Sequence, residues 1–330
     1  MKVHITDEYE LKEEDDIETN EVDKNAMGGT ELMKYGLYER VPKEVLEPFQ
    51  IICSRYRGTK KGKKPIYWLH DLPDDPESQH LRGDGWAKFE KIVCVSNWQM
   101  QQYHDKLGLP YHRSTVLMNA IEPFKPEEIT RADEDDTIRL IYHSTPHRGL
   151  NILIPVFEHL AEQYENIQLD IFSSFELYGW KERDEQYKEL FERAEAHPKI
   201  NYHGSQPNAV VREALGKAHI FAYPSIWPET SCICLMEAMS AGLLCVHPNY
   251  AALPETAANW TYMYQWNEDL NTHANAFARH LAECIQLYNT DAMQQRLKMQ
   301  KMYADSFYSW ESRALQWEMM LGRMNDTKST

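Results

Sequence analysis

The sequence has no C-x-x-C pair among its six cysteines, at 53, 94, 232, 234, 245 and 284. Three of them lie inside apolar runs, which reads as buried, reduced thiols. Cys232 and Cys234 stand too close for an unstrained disulfide and lack the second pair that a zinc site requires. Glycine and proline are sparse, 14 and 16 of 330 residues, which excludes collagen-like and low-complexity chains. No window approaches 18 consecutive apolar residues, and the opening MKVHITDEYE has no apolar core of a leader peptide. A cytoplasmic protein with no transmembrane segment is therefore expected. Positive charge is also short: 35 Lys and Arg against 51 Asp and Glu give a net −16, which counts against nucleic acid and anionic membrane surfaces as partners. Neither G-x-G-x-x-G nor a P-loop lysine occurs, so dehydrogenase and NTPase chemistry are not supported.

What is present is an ordinary globular composition, 42% hydrophobic, in a chain long enough for two medium domains. The acid is concentrated. Residues 7–23 hold ten acidic side chains and one Lys, which leaves −7 for the rest of the chain and reads as a solvated arm. Short β-branched or aromatic runs alternate with amphipathic ones. In the second half these are IRLIYH (138–143), a helix over 150–165, QLDIFSS (168–174), a helix over 181–197, KINYH (199–203), a helix over 207–218, HIFAYPS (219–225), a helix over 230–241 and LLCVH (243–247). The first half gives strands at 49–55, 65–70, 91–96 and 114–118, with helices at 30–40 and 97–107, the latter capped by Ser96 or Asn97. Such alternation implies right-handed β-α-β units and parallel sheets. The expected architecture is α/β: a reduced N-terminal Rossmann-like domain over 1–124 and a charged linker at 125–136. A C-terminal Rossmann-like domain follows over 137–305, then a last helix in 306–330 that can cross back to the first domain.

Three segments carry candidate chemistry. In WPETSCICLMEAMSAG (227–242) an almost wholly apolar helix holds Glu237, and a buried carboxylate needs donors, supplied either by a structural ion pair or by a pair of sugar hydroxyls. Glu229 lies eight residues earlier, about 12 Å along a helix axis. That suits opposite parts of an extended ligand and not a paired-carboxylate hydrolase, whose groups sit ~5–9.5 Å apart. The first N–H groups, those of Thr230, Ser231 and Cys232, are available to oxygen atoms. In AMGGTE (26–31) Gly28 and Gly29 open a helix and let backbone N–H groups approach a phosphate, although a Gly-Gly pair is more often only a turn. In HSTPHRGL (143–150) Arg148 stands at a strand-to-helix turn, where a cation neutralises a diphosphate and a plain surface arginine is the alternative.

Together these segments resemble the retaining GT-B-fold glycosyltransferases of family four, the glycosyl transferases group 1. The likeness is strongest over 138–255 and thinner in Gly28-Gly29, YWLHDLP, VSNWQMQQY and MNAIEP. It implies two Rossmann-like domains facing across a cleft and a nucleotide-diphosphate-sugar donor, UDP-linked before GDP-linked. It also implies a metal-independent reaction needing no cofactor. On the matching positions, Glu237 would hold the ribose and Glu229 the sugar, with the backbone of Thr230, Ser231, Cys232 and Ile233. Arg148 would take the diphosphate, with Gly28, Gly29 and Thr30. Gly204 and Gln206 would border the base, and His70 would stand near the sugar and acceptor. The family's usual first cation falls at Ser144, so His147 or another basic residue substitutes, or leaving-group stabilisation is weakened. A glycan or protein acceptor is expected. The alternatives are a nucleotide-sugar-binding protein with little transferase activity, and a metal-dependent transferase using Asp133, Glu134 and Asp135.

Overall fold

The computed structural model describes residues 28–131 and 136–326. The acidic stretch 7–23 and the Asp133–Asp135 run lie outside the described residues. The chain forms two compact units: one from Thr30–Leu117 and the segment from Ala314 onward, the other from Met118–Arg313 with Gly28 and Gly29.

The first unit begins with α1 (Gly29–Arg40) and the short α2 (Lys43–Leu46). Its sheet follows as β1 (Phe49–Cys53), β2 (Lys64–Trp68), β3 (Lys91–Cys94) and β4 (Ser114–Val116), with α3 (Asn97–Leu107) between the last two. All four strands are parallel and lie in sequence order. Ser96 caps α3 by accepting from the Gln99 N–H, and Gly108, at φ +72°, ends it in the left-handed conformation that glycine adopts without steric cost. Adjacent residues on β2 point to opposite faces. Tyr67 stacks on Phe89 at 4.8 Å between centroids, whereas Trp68 meets Trp317 at 4.7 Å. Trp317 belongs to α11 (Trp310–Asp326), which enters this unit at Ala314.

The second unit contains β5 (Ile138–His143), α4 (Leu150–Ala161), β6 (Ile167–Phe172), α5 (Lys188–Ala196), β7 (Ile200–Tyr202), α6 (Asn208–Lys217) and β8 (Ile220–Ala222). It continues with α7 (Ile233–Ser240), β9 (Leu244–Pro248), α8 (Leu253–Ala257), β10 (Tyr262–Tyr264), α9 (Leu270–Leu287) and α10 (Asp291–Phe307). Its six strands are all parallel, in the order β10-β9-β8-β5-β6-β7. This is the doubly wound α/β arrangement.

Two expectations differ from the structure, and one further strand is present. The chain passes between units at Leu117 and Met118, ahead of the expected linker. Residues 118–131 are fastened to the second unit: the Phe124 N–H donates to Ser240 Oγ at 2.9 Å, Arg131 Nη2 to the Ala241 carbonyl at 2.6 Å, and Arg212 pairs with Glu128 at 2.6 Å. The helix expected over 181–197 is a 3-10 stretch to Tyr187 and only then α5. There Asp184 spends its carboxylate on Ser174 Oγ and the Phe175 N–H, which ties the segment back to the end of β6. β10, three residues of Tyr-Met-Tyr, is too short to show as a run and is defined by its pairing with β9.

Candidate active site

The second sheet changes its direction of growth between β5 and β8, so the loops leaving these strands diverge and open a crevice at their carboxyl ends. β5 ends at His143, and one 3-10 turn, Pro146–Arg148, leads to Gly149, the N-cap of α4. Gly149 has φ +115°, and a Cβ there would lie 2.2 Å from the Pro224 carbonyl oxygen. Only glycine lets the β5 loop approach the backbone of the β8 loop so closely.

That approach sets Arg148 against Glu229. Arg148 Nη1 donates to Oε1 at 2.6 Å and to Oε2 at 2.7 Å, and the Tyr223 hydroxyl donates to Oε1 at 2.6 Å. The Glu229 backbone is pinned as well, its N–H donating to the Trp227 carbonyl and its carbonyl accepting from the Ala252 N–H. The Glu229 side chain is 6% exposed and that of Arg148 21%. Burial works against charge on Arg148, but adjacent Glu229 outweighs it and holds the guanidinium well above its ordinary pKa. Burial, with Glu229 next, raises the Tyr223 phenol far above its usual value and keeps it a donor. Arg148 Nε is buried with no hydrogen-bond partner among the described residues.

Glu229 is not on the helix, so the 12 Å axial estimate does not apply. α7 starts at Ile233 with Cys232 in extended geometry as its N-cap. Thr230 and Ser231 belong to the preceding loop, where the Ser231 carbonyl accepts from Asn119 Nδ2 at 3.1 Å. The N–H groups without intrahelical partners are those of the first turn from Ile233. Glu237 sits half-buried on α7 among apolar neighbours. Burial raises its pKa to about 7 against the opposing pull of His143, and its carboxylate makes no hydrogen bond or ion pair with another described residue. His143 is buried beneath the same helix end, its carbonyl accepting from Cys234 Sγ at 3.0 Å.

His147 does not supply the missing cation. It stacks on Phe175 and meets Trp227 edge-on at 4.7 Å, and burial, with Arg148 and Arg183 nearby, lowers its pKa to about 4, so it is neutral at pH 7. Ser144 is half-buried at the mouth of β5. Gly204 and Gln206 lie past β7, two strands out from the crevice, with Gln206 Nε2 donating to the His203 carbonyl at 2.8 Å. The His203 ring stacks on Phe172 at 4.4 Å. Gly28 and Gly29 group with this unit, and a Cβ on Gly29 would come 3.1 Å from Ile233 Cδ1. Thr30 and His70 belong to the first unit. His70 follows β2, its N–H donating to Ser54 Oγ at 3.0 Å, and burial lowers its pKa to about 3.

The structure thus joins Arg148 to Glu229 and seats Ile233 and Glu237 on the next helix. Sequence reasoning missed Tyr223, Asn119 and His143. A tyrosine closing the apolar run HIFAYPS was the available signal for the first. Among the described residues no three His, Cys, Asp or Glu side chains come together as a metal site, and no helix is long and apolar enough to cross a membrane.

The family model for glycosyl transferases group 1 matches residues 122–301. A phosphatidylinositol N-acetylglucosaminyltransferase subunit from Arabidopsis thaliana is 23% identical over 84% of this chain and 60% of its own length. The corresponding human subunit is 26% identical over 50% of this chain and 33% of its own. The chain therefore spans at most about 60% of these curated relatives. Among solved structures, a glycosyltransferase from Rickettsia africae superposes with a TM-score of 0.63 at 14% identity, covering 92% of this chain and 84% of its own. Anabaena HepE, in complex with UDP-glucose, gives 0.61 at 15% identity over 79% of this chain and 72% of its own.

Proposed function

Because the chain belongs to the glycosyl transferases group 1 family, we propose that it moves a sugar from a nucleoside diphosphate sugar to an acceptor hydroxyl with retained configuration. The observation that carries this reading is the meeting of one cation and one carboxylate, Arg148 and Glu229, at the carboxyl ends of the two strands flanking the crevice. Glu229, in the loop before Thr230 and Ser231, faces the sugar. Glu237, whose carboxylate has no partner among the described residues, accepts from the ribose hydroxyls. The N–H groups of the first turn of α7 and of Gly28 and Gly29 point oxygen-binding dipoles at the diphosphate, which Arg148 neutralises. The turn holding Gly204 and Gln206 borders the base, and Ser144 stands at the end of β5, in the loop that leads to Arg148. His70, neutral, is the acceptor-side group of the first unit. In the transfer the acceptor oxygen bonds to the anomeric carbon as the bond to the β-phosphate oxygen breaks. The acceptor proton passes to the departing diphosphate, with no metal ion required.

UDP is the preferred donor base, supported by the UDP-glucose bound to HepE, with GDP second. A glycan or protein hydroxyl is the first acceptor reading. A phosphoinositide-type lipid is the second, favoured by the names of the curated relatives. The test is calorimetric titration with UDP, GDP, ADP, dTDP and their common sugars, with and without EDTA, followed by radiolabel transfer to each acceptor class. A single nucleotide series binding independently of chelator, with label reaching an acceptor, supports the proposal. Binding without transfer to any acceptor or water would turn it into a nucleotide-sugar-binding protein, and no binding would end it.

A further inference from the structure

The reading above gives Arg148 and Glu229 separate tasks, yet they hold each other. One guanidinium nitrogen bridges both carboxylate oxygens, at 2.6 and 2.7 Å, while the Tyr223 hydroxyl also donates to Oε1, at 2.6 Å. Arg148 Nε is buried with no acceptor among the described residues. Neutral His147 adds no charge to the turn. The bridge therefore leaves the crevice without a free positive charge from this turn, while an oriented N–H of the same cation still lacks its partner.

Resting on the proposed function, we propose that this bridge is an exchangeable lock. Arg148 and Glu229 are each other's counter-ions in the ligand-free site, and a nucleotide sugar trades the bridge for two new contacts. The sugar hydroxyls take over Glu229, and the diphosphate takes Arg148. The lock reads both halves of the ligand at once. A nucleoside diphosphate without its sugar draws Arg148 away and leaves Glu229, 6% exposed, as a buried anion with only Tyr223 for company. Stranding one member of a buried pair is costly, so the sugarless nucleotide is penalised. The same asymmetry favours release of the nucleotide product, since Glu229 recaptures Arg148 once the sugar has left.

The test is isothermal titration of the full chain with UDP and with UDP-glucose or UDP-N-acetylglucosamine, or with GDP and GDP-mannose if that series binds. Wild type is compared with Glu229→Gln, which keeps the shape and the Tyr223 contact and removes the charge. The lock predicts that Glu229→Gln binds the sugarless nucleotide about tenfold tighter while gaining nothing for the nucleotide sugar, because there the benefit of a released Arg148 is offset by loss of the carboxylate that receives the sugar hydroxyls. Adding Arg148→Ala must abolish the gain, which a general loosening of the fold does not explain. If Glu229→Gln fails to fold, Glu229→Asp retains a buried carboxylate too short to bridge, and a partial gain is expected. Unchanged or weaker binding of the sugarless nucleotide by a folded variant overturns the lock alone. Wild type that binds no nucleotide and no nucleotide sugar overturns the proposed function and the lock with it.

Discussion

Trp68 and Trp317 are far apart in the chain and meet edge-to-face, their ring centroids 4.7 Å apart at 62°, both fully buried. The first unit therefore borrows part of its core from the end of the chain. Leu321, one turn further along α11, is buried as well.

Trp317→Ala should cost about 3–5 kcal/mol, the usual range for emptying a buried tryptophan site. Urea denaturation followed through the fluorescence of the remaining tryptophans checks it. A loss below ~1 kcal/mol would mean that α11 is dispensable to the first unit.

Gly149→Ala should lower stability by ~2–4 kcal/mol, because position 149 combines φ +115° with a Cβ site 2.2 Å from the Pro224 carbonyl. It should also displace Arg148, so transfer should fall further than the fraction folded. Circular dichroism melts beside specific activity of the folded fraction separate the two effects.

His247 is fully buried and neutral, its Nδ1–H donating to the Pro248 carbonyl while Nε2 accepts from Thr261, and burial lowers its pKa to about 4. The unfolded imidazole titrates near ~6.5. Between these values the unfolded chain binds more protons than the folded one, so stability rises with pH from ~4 to ~6.5 and is lost on acidification through that window. Melting temperature against pH should show this slope, and His247→Gln should flatten it by an amount on the order of 3 kcal/mol at pH ~4.

Glu237 has the opposite sign. Its folded pKa of about 7 lies above the unfolded carboxylate value, so the folded state holds a proton the unfolded state has lost, and stability falls as pH rises from ~4.5 to ~7. Under the proposed ribose contact, nucleotide affinity should move the other way, rising through pH ~7 as the carboxylate becomes the better acceptor for hydroxyls. Glu237→Gln should remove both dependences, and titrations between about pH 6 and 8 read them directly. The neighbouring groups that bear on this titration are His143, Cys234 and Arg212.

Much of the fold was legible because local pattern and tertiary structure agree. IRLIYH is β5 from first residue to last, and Ser96 caps α3. Short elements were not legible, because β10 owes its existence to pairing with β9 and not to its own three residues. The site divided in the same way. Arg148 and Glu229 stood out as chemically unusual residues at loop positions, but nothing in a linear chain says that they touch. Apolarity extended the expected helix back to Thr230, whereas the bond from Asn119 to the Ser231 carbonyl holds that segment in the loop. His147 read as a basic residue until its packing against Phe175 and Trp227 made it neutral.

The sequence by itself determined two parallel α/β units and singled out Arg148, Glu229 and Glu237 as chemically unusual residues, since strand–helix alternation and residue chemistry are local properties. Only the tertiary structure decided that the cation and the carboxylate neutralise each other. That outcome depends on strand order, on a glycine that admits close backbone contact, and on a tyrosine six residues before the carboxylate in the same loop, all brought together by packing.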